Sequence, residues 1–216
     1  NLEATIQLIQ RVIEFGLLPV YISSDSVFDG ETGEYGEEDQ TNPLHLYGRQ
    51  KLEVERFLLG SGKQHLILRL PKVVSALPEK GTLFTDWLEA IRRGEKIRCA
   101  EDQLFSPILL SDVSRAIVSL IDTKRLGLFH LAGPESWSRA GLFELLADRL
   151  GITPKLMERC SIRDFPEFLE VRPLNCTLKI DKIKAELGTD FSLTSMESVC
   201  ATIAGNHSIL PATHSK

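Results

Sequence analysis

The chain is poor in the features that tie a protein to a metal, a membrane or a nucleic acid. Its four cysteines, Cys99, Cys160, Cys176 and Cys200, form no C-x-x-C pair, and its five histidines do not cluster with them. That spacing excludes the usual zinc-ligand patterns and reads as reduced thiols in a cytoplasmic protein. No apolar run approaches the roughly 18 residues that span a bilayer, and no stretch reads as a secretory signal. Basic residues are outnumbered, 25 Lys and Arg against 30 Asp and Glu, for a formal net charge of -5. A broad phosphate-gripping surface is not expected from that balance, although a local basic pocket is compatible with it. Asn175-Cys-Thr177 and Asn206-His-Ser208 match the glycosylation acceptor pattern. Without a secretory signal, chance accounts for both.

Two further absences concern organisation. No glycine-rich phosphate turn is present: Gly60-Ser-Gly62 lacks a third glycine, and Lys63 is followed by Gln64. Neither G-x-G-x-x-G nor a P-loop is met. There is no initiator Met, and Asn1 leads straight into an amphipathic repeat with Leu2, Ile6, Ile9 and Ile13 at i, i+4, i+7 and i+11. Domains rarely open so abruptly, so further sequence is expected upstream.

What is present reads as a globular α/β protein. The 216 residues, 43% hydrophobic and 25% charged, suffice for one large domain or two small ones. After the first helix and a stop at Gly16, Leu17–Ile22 is a nearly unbroken apolar run, the pattern of a strand buried on both faces. It ends in Ser23-Ser24-Asp25-Ser26. A polar loop, residues 29–40, precedes Thr41-Asn42-Pro43, which opens a helix over roughly 44–59. His65–Leu70 is a second buried strand. Helix, strand, loop, helix, strand is the rhythm of a doubly wound fold. Downstream, a helix is expected over Leu83–Arg93 with a stop at Gly94, then a short strand at Ile97–Cys99. Ser111 is expected to cap a helix bearing Val113, Ala116, Ile117 and Leu120. Four features follow: a strand at Leu128–Leu131, a helix capped by Ser138 and stopped by Gly151, a helix over Asp181–Leu187, and a frayed tail from Gly205.

The chemistry concentrates at Tyr47-Gly-Arg-Gln-Lys51. On a helix Tyr47 and Lys51 are i and i+4 and share a face. An ammonium beside a phenol stabilises phenolate and draws its pKa down. A phenol so tuned exchanges a proton with a carbonyl oxygen as hydride meets the carbon. Y-x-x-x-K alone is common by chance, but Ser24 adds to it. Ser24 ends a predicted parallel strand, at the edge where α/β sheets place ligands. A hydroxyl there reaches the same carbonyl oxygen. The plainer reading of Ser23, Ser24 and Asp25 is a turn that closes the strand.

These segments resemble the extended short-chain dehydrogenase/reductases, in particular the dTDP-4-dehydrorhamnose reductase-like family. The resemblance runs through Tyr21-Ile-Ser-Ser-Asp-Ser-Val-Phe-Asp-Gly30, Asn42-Pro43-Leu44 and Tyr47-Gly-Arg-Gln-Lys51. It continues through Ile67-Leu-Arg69, Asp102–Pro107, Ser111-Asp112-Val113, Gly127–Gly133 and Arg172-Pro-Leu-Asn175, to about residue 203. It implies the C-terminal part of a Rossmann-like doubly wound parallel sheet with a small mixed α/β substrate-binding domain. Residues 1–74 and 107–133 would form the second half of the NAD(P)-binding domain, 75–106 and 134–204 the substrate-binding part, and 205–216 a flexible tail. The first mononucleotide-binding half, roughly 80 residues, is then expected upstream.

The resemblance also implies roles. Ser24, Tyr47 and Lys51 are the expected catalytic set. Ser23, Tyr47, Lys51, Leu70 and Val73 are expected against the cofactor, NADP or NAD, with NADPH slightly preferred. Asp25, Ser26, Lys72, Gln103 and Arg172 are expected against a nucleotide-sugar substrate, Arg172 being suited to a phosphate. An ion pair on the surface is the competing reading of Arg172, and a loop-stabilising role that of Gln103. No metal, nucleic acid or membrane partner is expected; a homodimer is, by analogy of fold.

Two residues depart from that pattern. Ser26 stands where the rhamnose-type reductases usually carry Tyr, and Lys72 where they often carry Trp. The Leu68-Arg-Leu-Pro71 wording is closer to the β subunit of methionine adenosyltransferase, a cofactor-binding regulatory relative. The sequence therefore points to an NAD(P)H-dependent reductase of a nucleotide-linked 4-keto-6-deoxy sugar, with a non-catalytic regulatory subunit as the alternative. An epimerase or dehydratase ranks last: Asp25 supplies one carboxylate beside Ser24, but Ser26 cannot supply a second.

Overall fold

The computed structural model describes residues 2–77, 81–165 and 170–206. The opening repeat forms α1 (Leu2–Glu14), and the chain turns at Gly16 with φ 69. Strand β1 is Val20–Ser24, shifted towards the serines from the expected Leu17–Ile22. Register explains the shift. Pro19 O accepts from Leu66 N, and pairing then runs from Val20↔Leu66 to Ser24↔Leu70. Helix α2 is Leu46–Gly60. It starts later than the Asn-Pro signal implies because Asn42 N donates to Val27 O at 2.9 Å, which holds that segment against the preceding turn.

The remaining elements are β2 (Leu66–Leu70), β3 (Val73–Val74), α3 (Leu83–Arg93), β4 (Ile97–Ala100), β5 (Leu104–Phe105), β6 (Ile108–Leu109), α4 (Leu110–Asp122), β7 (Gly127–His130), β8 (Trp137–Ser138), α5 (Arg139–Arg149), β9 (Met157–Cys160), α6 (Asp181–Leu187) and α7 (Met196–Asn206). Helix α3 has the expected bounds, with Thr82 and Thr85 closing a capping box and Gly94 in the left-handed region. Ser138 caps α5 as expected, accepting from Gly141 N. Ser111 does not cap α4. Strand β6 runs directly into that helix, whose N-cap Leu109 makes no side-chain bond. Its first turn is tied instead through buried Asp112, which accepts from Thr194 N at 2.7 Å. The tail expected from Gly205 does not begin there: Gly205 and Asn206 still belong to α7, and residues 207–216 lie outside the described residues.

Strands β1, β2 and β7 form a parallel sheet in the order β1-β2-β7. Alternate side chains of β2 serve opposite faces. Leu66, Leu68 and Leu70 pack with Val113, Ala116 and Leu120 of α4 and Ile183 of α6. Ile67 packs with Ile9 of α1 and with Val54 and Leu58 of α2. Helices therefore cover both faces, and β2 is buried along its whole length, as a doubly wound sheet requires. A second core gathers α3, α5 and α7 beside the parallel pair β4–β9. Trp87 sits there edge-on to Phe84 and Phe143, at 5.8 and 5.3 Å between ring centroids. The β3–β6 pair joins the two cores: Val73 and Ile108 pack into the first, Val74 and Leu109 into the second. Residues Cys176 to Leu193 pack with the first core.

One level of the sheet is polar. Ser23, Arg69 and His130 stand in register across β1, β2 and β7, on the face that Ile67 shares with α2. Glu55 of α2, fully buried, closes over them. Its carboxylate accepts from Arg69 Nη2 at 2.7 Å and from Nε at 3.1 Å, and from the Ser23 hydroxyl. Arg69 Nη1 donates to His130 Nε2 at 3.2 Å, because His130 Nδ1 donates to the Tyr35 carbonyl at 3.0 Å. Burial, then the Arg69 charge, pushes His130 down to about 3, so the ring stays neutral.

A buried ion pair whose donors are engaged is costly to break from one side. Glu55→Ala is expected to cost about 3–5 kcal/mol in urea unfolding. The double change Glu55→Leu with Arg69→Met should recover most of that loss, since an apolar pair leaves no stranded charge. A single Glu55→Ala costing under about 1 kcal/mol would show that the pair does not clamp α2 to the sheet.

Candidate active site

Ser24 ends β1 and is buried. The chain then makes a single turn at Asp25–Val27, with Ser26 N donating to Ser24 Oγ at 3.2 Å. Helix α2 starts directly against this turn. A side chain at Gly48 would put its Cβ 2.1 Å from Ser26 O, so only glycine allows the approach. That contact sets the height of Tyr47. Gly30 has a similar role: with φ +74 it meets Pro173, and Asn175 N donates to Gly30 O at 2.9 Å. The segments 27–30 and 172–175, far apart in sequence, thereby form one wall.

Tyr47 is half exposed and lines the same pocket as Ser24. Ser24 Oγ donates to Asp25 Oδ1 at 2.9 Å, and Ser26 Oγ donates to the same oxygen at 3.3 Å. Burial pushes Asp25 up to about 6, against the lowering effect of those two hydroxyls. Lys51 lies one turn along α2 from Tyr47. Its Nζ donates to Ile22 O at 2.7 Å and sits 5.0 Å from the Tyr21 ring centroid and 5.5 Å from that of Tyr47. Burial lowers the Lys51 pKa, and Glu55 partly restores it.

The sequence implies a phenol drawn down by Lys51, and the structure corrects this: the Tyr47 pKa is raised. Burial is the main cause, Asp25 adds to it, and Ser24 opposes it. Lys51 is not among the groups that move this pKa, and its Nζ donates to the Ile22 carbonyl.

Tyr47 stands between two pockets. The first, about 430 Å³, is lined by Ser24, Asp25, Ser26, Tyr47, Lys72, Val73, Gln103 and Arg172, among others. Val73 was expected against the cofactor but lines this pocket; the others were expected in catalysis or substrate binding. Gln103 is fixed there by donating to Pro173 O at 3.0 Å. The pocket also includes His45, Arg139 and Cys176, which the sequence did not single out. Arg139 follows the Ser138 cap directly, so its helix was legible but not the cavity it faces. Lys72, Arg139 and Arg172 make the lining cationic, with Asp25 the one carboxylate among its described residues. Burial, then the neighbouring Arg139 charge, lowers the Lys72 pKa, and Asp86 opposes this.

The second pocket, about 360 Å³, is lined by Leu2, Thr5, Tyr21, Ile22, Tyr47, Gln50, Lys51 and Val54. An ammonium, a carboxamide and two phenol rings suit the ribose and nicotinamide end of a dinucleotide. No glycine-rich turn is present for a pyrophosphate, so these residues fit that end of the cofactor alone. Ser23 and Leu70, expected near the cofactor, are turned elsewhere: Ser23 towards Glu55, and Leu70 into the first core.

The family model for the RmlD substrate binding domain matches residues 1–202. The probable low-salt glycan biosynthesis reductase Agl14 of Haloferax volcanii is 30% identical over 173 residues, 78% of this chain and 57% of the relative. The methionine adenosyltransferase 2 subunit beta of Bos taurus is 28% identical over 193 residues, 85% of this chain and 57% of that protein. The chain thus spans a little over half the length of these curated relatives. Among solved structures, dTDP-4-dehydrorhamnose reductase from Bacillus anthracis, in complex with NADP, shares the fold with a TM-score of 0.78 at 21% identity, over 89% of this chain and 66% of that one. With the model matched along nearly its whole length, the chain belongs to the RmlD substrate binding domain family, on a Rossmann-like α/β fold.

Proposed function

We propose that the protein carrying this chain is an NAD(P)H-dependent reductase of a nucleotide-linked 4-keto-6-deoxy sugar. The observation that carries the reading is the position of Tyr47, which lines both pockets, the first of them together with Ser24. A bound nicotinamide supplies hydride to the carbonyl carbon. Tyr47 gives its phenol proton to the carbonyl oxygen, which becomes the product hydroxyl. Its raised pKa makes it a proton donor that stays protonated at neutral pH. Lys51 offers its remaining N–H donors to the nicotinamide ribose. Ser24 holds the carbonyl oxygen beside Tyr47. The cationic lining at Lys72, Arg139 and Arg172 suits the diphosphate of the nucleotide.

The relationship to the methionine adenosyltransferase β subunits supports a second reading, in which the protein binds the cofactor as a partner subunit. Turnover separates the two. In the full-length protein, Tyr47→Phe is expected to lower kcat for a dTDP-4-keto-6-deoxy sugar by about a hundredfold or more, with NADPH binding retained. Equal turnover by wild type and Tyr47→Phe would overturn the proposed acid. No turnover by wild type, alongside tight NADPH binding, would favour the partner-subunit reading.

Asp25 supplies a pH test. Its carboxyl is raised from 3.8 to about 6, so the fold favours its protonated form. Its contribution to stability is complete below about 3.8 and is lost as pH rises through about 6. Asp25→Asn keeps a neutral acceptor for Ser24 and Ser26. The variant is expected to flatten the pH dependence of unfolding between about pH 4 and 7, gaining at most about 3 kcal/mol over wild type at the upper end. Parallel stability curves for the two proteins would contradict this environment for Asp25.

A further inference from the structure

His45 caps a helix and leaves one ring atom unused. It is the N-cap of α2: its Nδ1 accepts from Gly48 N at 3.1 Å. The first helical N–H, that of Leu46, is taken by Glu170 at 3.0 Å, so the ring is not needed there. An imidazole that accepts at Nδ1 carries no proton on that nitrogen. It is therefore neutral and carries its one proton at Nε2. Burial and the charges of Arg172 and Arg49 favour the same neutral form, with Glu170 opposing. The residue is 1% exposed, and Nε2 has no hydrogen-bond partner among the described residues.

A buried N–H donor without a partner is costly and uncommon. An Asn or Ser cap would serve the backbone without that cost. The ring is part of the wall of the first pocket, as is Arg172, and its centroid lies 6.1 Å from that of the Tyr47 ring. We infer that His45 also binds substrate, its Nε2–H donating, alongside Arg172, to a phosphoryl oxygen of the nucleoside diphosphate. A neutral N–H beside a guanidinium adds direction to the charge and does not compete with it for the same anion. Because Nε2 is closed to bulk water, ligand entry must be accompanied by a local shift of the pocket wall. The inference rests on reading this pocket as a nucleotide-sugar site.

The test measures binding, so it does not depend on turnover. The full-length protein is saturated with NADPH and titrated with dTDP and with dTDP-glucose, as wild type, His45→Asn and His45→Ala. Asn restores the cap but is too short to supply the Nε2–H. The expected result is that His45→Asn melts like wild type yet binds dTDP and dTDP-glucose about ten- to a hundredfold more weakly. His45→Ala should lose both stability and affinity. Wild-type affinity in His45→Asn would overturn the role of His45 and leave the pocket reading standing. Weaker binding of dTDP-glucose alone would overturn the phosphoryl assignment by moving the donor to a sugar hydroxyl. If wild type binds neither probe, the pocket reading fails and this inference with it. Should His45→Asn prove unstable, the histidine Nε2–H resonance of 15N-labelled wild type decides. A shift on adding dTDP supports the contact, and an unmoved resonance overturns it.

Discussion

The structure depends on one buried carboxylate. Glu55 projects from α2 onto the level of the sheet where Ser23, Arg69 and His130 stand side by side, and it satisfies Ser23 and Arg69 directly. A guanidinium left alone at that depth would be prohibitively costly. The pairing therefore admits only one rotation and one height of α2 over the sheet. Lys51 is one turn before Glu55 and Tyr47 two turns before, on the same face. Fixing Glu55 places the ammonium against Ile22 O and Tyr47 at the pocket that Ser24 lines. The network reaches further through His130, whose ring meets the Tyr35 carbonyl and whose backbone N donates to Glu37 Oε1 at 2.9 Å. The polar loop after β1 is thus held by the same charge that orients the helix.

How much of this was legible depended on whether the signal was local. The i, i+4 relation of Tyr47 and Lys51 is a property of any helix, so those residues could be paired from the sequence. Gly94 and Ser138 announce helix ends through a missing side chain and a hydroxyl, and α3 and the start of α5 fell where expected. The failures are long-range. Ser111 looks like a cap, but β6 enters the helix too early to use it. Ser23 looks like a ligand contact until Glu55, 32 residues on, takes its hydroxyl. Ile97–Ala100 pairs with Met157–Cys160, a parallel match that no local pattern encodes. His45 gives no cap signal, because histidine is an unusual N-cap and its role follows from the geometry around Gly48.

The two pockets divide the chemistry by charge. On the side of Lys51 the walls are mainly apolar and aromatic, with one ammonium and one carboxamide. On the side of Arg172 they are cationic. Tyr47, a neutral phenol with a raised pKa, is the side chain common to both. Such a partition is what the proposed reaction requires, with a nicotinamide cofactor on one side of Tyr47 and a phosphate-bearing substrate on the other.

Ser24 sharpens that picture. A hydroxyl has one proton, and Ser24 gives it to Asp25 while accepting from Ser26 N. It cannot also donate to a substrate carbonyl while that bond is kept. Two outcomes are open to it: to turn its proton from Asp25 to the incoming oxygen, or to keep it and leave protonation wholly to Tyr47. The role proposed for Ser24, holding the carbonyl oxygen, requires the first. A carboxyl with a pKa of about 6 is mainly ionised at neutral pH, and an ionised Asp25 holds the serine proton most strongly. It also raises the Tyr47 pKa, which keeps the phenol protonated. At neutral pH, then, turning the Ser24 proton to a substrate works against an ionised Asp25, and protonation of Asp25 at lower pH eases that turn.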